Sequence, residues 1–236
     1  MQETYTGKPM SSNERSESSG KSRRKFLFNA GASGLLIAGL SSCEKLWDYF
    51  PQHGHNKPVN LGSGDIGILN YAYALEQLEA AFYTRVCHSF YQGGSAYEMK
   101  LITDIRDHEI AHREFFKNAL GSKAIRELEM DFSSVDFSSR SSVLATAKAF
   151  EDLGVSAYNG AGSLIQSGDY LLLAGKIVSV EARHAAYIRN LVALGSFADS
   201  TVVDNNGLDT SRKPADVLAI ADKYFKTKID GSNLPS

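Results

Sequence analysis

The sequence predicts an all-α protein: a bundle of four long helices with a short extra helix near the C-terminus, preceded by a cleaved segment. Three observations predict it. Beyond residue 63 apolar residues recur with the helical period. Strand signals are scarce over the same stretch, and two Glu-centred phrases alternate along it, marking a duplicated helical hairpin. The 236 residues, 43% hydrophobic and 22% charged, can build one sizeable core. A balance of 25 Lys and Arg against 27 Asp and Glu argues against a nucleic-acid binder with a broad basic surface. Two cysteines cannot form a disulfide-dense scaffold or a four-thiolate metal site.

The first element is an address. Ser22-Arg23-Arg24-Lys25-Phe26-Leu27 leads into an apolar stretch from Phe26 to Leu40 that is broken by Gly31, Gly34 and Gly39. It resembles a twin-arginine export signal, a route that carries folded proteins, and it falls short of the roughly 20 residues a spanning helix needs. Leu40-Ser41-Ser42-Cys43 looks like a lipobox, which would make Cys43 the lipid-bearing first residue of the mature chain. The expected product is periplasmic or in the cell envelope, membrane-anchored by lipid only. Residues 1–42 carry six basic and three acidic residues, so the remainder holds 19 and 24, net −5, with Cys87 as its only other cysteine. Residues 43–62, with Pro51 and Pro58, are expected to be a linker.

The bundle is expected over 63–195, with helices at about 64–91, 96–120, 140–167 and 169–194. Breaks fall at Gly93-Gly94, Gly121, the Ser/Asp-rich 131–142 segment, Gly168 and Gly195. The remaining 196–236 form a C-terminal extension with a short amphipathic helix at about 213–226, Pro214 lying near its first turn.

Helices one and three share a phrase: Ala74-Leu75-Glu76-Gln77-Leu78 followed by Tyr83, and Ala149-Phe150-Glu151-Asp152-Leu153 followed by Tyr158. Helices two and four share Glu-x-x-His, as Glu109 with His112 and Glu181 with His184. Each Glu lies in an apolar stripe. Burying an unpaired carboxylate costs several kcal/mol or forces protonation, so four that converge need cations between them. Two divalent ions balance four carboxylates with two neutral imidazoles, and the i, i+3 spacing lets one helix offer an oxygen and a nitrogen to the same centre. The expected metal ligands are therefore Glu76, Glu109, His112, Glu151, Glu181 and His184. Glu79 lies 60° from Glu76 by periodicity and is either an extra ligand or a partner to a buried group. Tyr83 and Tyr158 are either core tyrosines or hydrogen-bond donors to a ligand carboxylate on a neighbouring helix. His53, His55, His88 and His108 are read as surface residues or as neighbours of the ligands.

These residues resemble the ferritin-like di-metal carboxylate superfamily. Ile68-Leu69-Asn70 through Leu75-Glu76 to Tyr83 is similar to the first helix of bacterioferritin. Leu75 through Tyr83, Glu151 through Val155 and Ser179 through Ala185 look like the exported ferritin-like family that includes desiccation-related proteins. The resemblance covers about residues 64–195. It implies a ferritin-like four-helix bundle holding two metal ions, usually iron and sometimes manganese, in the six ligands above. The partners expected are those ions with dioxygen or peroxide, and no nucleic acid; an oligomer fits this reading, a storage cage does not. The leading expectation is a di-iron oxidase or ferroxidase. The alternatives are dimanganese disproportionation of peroxide and a structural stress-protection protein whose metals only stabilise the bundle.

Overall fold

A computed structural model describes residues 57–236. The arginine pair, Cys43, His53, His55, the expected cleaved segment and most of the expected linker lie outside the described residues.

Four long helices carry the fold: α1 (Gly64–His88), α2 (Ala96–Leu120), α3 (Arg140–Gly162) and α4 (Gly168–Val192). Helix α5 (Pro214–Ala221) follows, with a 3-10 turn at Asp222–Tyr224. Helix α1 packs mainly on α2 and α3 mainly on α4, which makes two hairpins. Tyr83 of α1 meets Glu151 of α3, and Tyr158 of α3 meets Glu76 of α1. One contact advances along α1 while the other advances along α3, so the two helices run antiparallel. Residues 121–139 cross the bundle to allow this, the single long connection of a ferritin-like topology. Buried polar side chains of α1 hold the crossover: Asn70 donates to the Lys123 carbonyl and accepts from Ile125 N–H, and Gln77 accepts from Leu128 N–H.

Helix starts follow the caps. Ser95, Ser139 and Ser167 each accept from a backbone N–H three residues on. Helix α4 ends two residues before the expected 194 and α5 five before the expected 226, its last turn being 3-10, and α1 and α3 also stop short. Helix α1 stops at His88 because Ser89 is extended and Tyr91, turning back, donates to Glu98 at 2.5 Å. Helix α3 stops at Gly162, five residues early, because the N–H groups of Gln166 and Ser167 are drawn to Asp65 at the start of α1.

Two short strands were not expected. β1 (Val59–Asn60) pairs in parallel with β2 (Ile229–Asp230), Val59 opposite Ile229. The end of the expected linker is thus part of the fold, and Leu61 is fully buried in the core. The extension also docks on α3, where Arg212 N–H donates to the Ser156 carbonyl and Asn159 donates to the Thr210 carbonyl. Among the described residues no helix is long and apolar enough to cross a membrane.

Candidate metal centre

Each helix delivers its acid to the middle of the bundle because that acid sits where a core residue would. Glu76 has Ala72, Ala80 and Tyr83 on its face of α1, and Glu151 has Ala147, Val155 and Tyr158 on its face of α3, all buried. Glu76, Glu109, Glu151 and Glu181 are all 0% exposed, so water cannot solvate them. Their repulsion must be met inside the protein.

The two imidazoles enter between them. His112 Nδ1 lies 2.8 Å from Glu181 Oε1, 3.5 Å from Glu76 Oε2 and 3.6 Å from Glu109 Oε2. His184 Nδ1 lies 2.8 Å from Glu109 Oε1, 3.6 Å from Glu151 Oε2 and 4.0 Å from Glu181 Oε2. Close as they are, these nitrogens and oxygens make no hydrogen bond with one another: they point side by side toward common centres. Glu76, Glu109, His112 and Glu181 form one group, and Glu109, Glu151, Glu181 and His184 a second, each with ligand atoms within 4.8 Å of one another. Ligands held at about 2.1 Å on opposite sides of one ion span about 4.2 Å. The donor set therefore fits a cation in each group, with Glu109 and Glu181 common to both.

Electrostatics give the same account. Burial raises the Glu76 carboxyl to about 7, offset in part by His112. Burial also pushes Glu151 up, and Glu181 well up, where Glu109 and Glu76 add to it. Burial acts on Glu109 as well, but the two imidazoles overcome it and bring that carboxyl down to about 2. Burial opposes charge on His184, yet Glu151 and Glu109 lift it to about 11, and Glu109, Glu181 and Glu76 lift His112 far above the ordinary imidazole range. Protons thus occupy the place that cations would take.

The ferritin-like domain family model matches residues 64–194, the four helices that bring these six side chains together. The chain belongs to the ferritin-like domain family. No curated protein matches it.

Around the centre of this ferritin-like domain the flanking residues sort clearly. Tyr83 donates to Glu151 Oε1 at 2.5 Å, and Tyr158 donates to Glu76 Oε1, so each tyrosine holds the carboxylate of the opposite hairpin that belongs to one ligand group alone. Glu79 is a fifth buried acid, pushed well up by burial and then by Glu181, Glu109, Glu151 and Glu76. It stands outside both ligand groups. Gly154, its counterpart in the repeat, makes room for it: a Cβ there would lie 3.1 Å from Glu79 Oε1. His88 is exposed at the end of α1, away from the centre. His108, exposed itself, touches the outer side of a proposed ligand, its Nδ1 lying 2.9 Å from His184 Nε2. Periodicity along α2 alone puts it about 100° off the ligand face. The signal that finds it is the antiparallel run of α2 and α4, which sets residue 108 opposite 184.

Proposed function

We propose that this ferritin-like protein is exported and lipid-anchored, and that its buried cluster holds two redox-active ions, iron or else manganese, with which it oxidises Fe(II) or consumes dioxygen or peroxide. The observation that carries the reading is the pair of ligand groups sharing Glu109 and Glu181. When bound, two such ions supply the one-electron steps that a small oxidant accepts in pairs. The chain's own residues set the conditions for that chemistry. Glu109 and Glu181 span both seats; Glu76 with His112 and Glu151 with His184 complete them. Tyr158 and Tyr83 fix the Glu76 and Glu151 carboxylates from across the bundle, and Glu79, its carboxyl pushed well up by burial, lies beside Glu181. Apolar walls keep bulk water out. A cavity of about 20 Å³ beside Tyr158, lined by Leu69, Ala72, Leu75, Phe116 and Ala157, is apolar and has room for a molecule of oxygen size next to the tyrosine that holds Glu76. Export and anchoring rest on Arg23-Arg24 and Cys43 in the sequence.

Protein purified with its own signal should contain close to two metal ions per chain by elemental analysis. It should consume oxygen in the presence of Fe(II), or decay peroxide, and Glu109→Ala and Glu151→Ala should lose both metal and turnover. If metal-loaded protein consumes neither oxidant while these variants merely melt earlier, the centre is structural and a stress-protection role replaces catalysis. Cys43→Ala should move the protein from the membrane fraction to the soluble one.

A further inference from the structure

The duplication that builds the centre is broken at two positions. Where the first hairpin has Glu79 the second has Gly154, and where the first has His108 the second has Val180. We propose that His108 is a positioning residue for His184 and that the two metal seats are therefore unequal, the seat of Glu151 and His184 taking the first ion. The inference rests on the di-metal reading above.

His184 faces the cluster through Nδ1, 2.8 Å from Glu109 Oε1. Its far nitrogen, Nε2, meets His108 Nδ1 at 2.9 Å, with the two ring planes within 7° of parallel. Coordination through Nδ1 requires a lone pair there, so the ring proton stays on Nε2 and is donated to His108 Nδ1. One bond thereby fixes the orientation of the ligand before an ion arrives, and its tautomer once Nδ1 gives up its proton to the incoming ion. His112 also faces the cluster through Nδ1, but among the described residues its Nε2 has no hydrogen-bond partner. The repeat would supply that partner from position 180, where valine has nothing to accept a proton. His112 is therefore oriented from the cluster side alone, with no protein group bracing its far nitrogen, and its seat loses that much affinity.

The test is an anaerobic titration of metal-free full-length protein with Co(II), followed by visible absorption and calorimetry. Two resolved steps are expected, and His112→Ala should remove the weaker one. His108→Leu should weaken the tighter step about 10- to 100-fold and leave the other unchanged. His108→Asn, whose Oδ1 can accept where Nδ1 did, should restore most of the loss. Helix content and melting of the metal-free variants should match the parent, since His108 is exposed at the edge of α2. A His108→Leu titration that superimposes on the parent, weakens both steps alike, or is matched by His108→Asn overturns the inference alone. A parent protein that binds no Co(II) overturns the di-metal reading and this inference with it.

Discussion

Burial pushes the Glu76, Glu79, Glu151 and Glu181 carboxyls above the ordinary range, while Glu109, held ionised between the two rings, is among the acids that raise both imidazoles. Metal uptake must displace the protons these groups hold, so affinity should fall as pH drops below about 7, and an unbuffered titration should release more than one proton per chain. Without metal the sign is opposite to that of an ordinary protein. Raised folded-state pKa values mean that the native form binds more protons than the unfolded chain above the ordinary carboxylate pKa. Melting temperature of the chelated protein should therefore decline as pH climbs from about 4.5 through about 7. A flat profile would mean that the acids are compensated in some other way. The six proposed ligands could be read from the sequence because the repeat states each twice. Glu79 and His108 were legible only as alternatives, an extra ligand or a buried partner for the one and a surface residue or a neighbour of the ligands for the other, because each stands where the repeat is broken, and only the opposing helix shows what it touches.

Helices α3 and α4 contain glycines with opposite consequences. A methyl on Gly160 would sit inside the Arg212 carbonyl, so the extension lies against bare α3 backbone. Gly160→Ala should cost about 1–3 kcal/mol in a urea melt by levering the 209–213 segment away. Gly175 of α4 has open space around its Cβ position, and Gly175→Ala should instead stabilise by about 0.5–1 kcal/mol. At this scale the helices were legible from their period and their serine caps, but several of their ends were not. Asp65 draws off backbone donors 101 and 102 residues away, and nothing near Gly162 in the chain announces that. Strands of two residues carry no readable alternation, and β1 and β2 are separated by almost the whole domain.

For the molecule as a whole, metal should act as part of the fold, because cations and a protein that buries five acids at its centre stabilise each other. Chelation at neutral pH should lower the melting temperature, and restoring metal at 100 times its dissociation constant should return about 2.7 kcal/mol per independent site. An unchanged melt after chelation would remove the case for bound cations. The bundle was legible because helical period and duplication agree over most of its length; the crossover was not, since its path depends on Asn70 and Gln77 reaching out of α1. The pairing of β1 with β2 has a mechanical consequence. Val59 N–H donates to Lys228 at 2.8 Å and Leu61 N–H to Asp230 at 3.0 Å, so tension arriving from upstream loads both bonds together, in shear. The last few residues thus brace the chain's entry into α1: clipping the chain after Lys228 would remove β2 and with it the side chains of Ile229 and Leu234 that pack against the core.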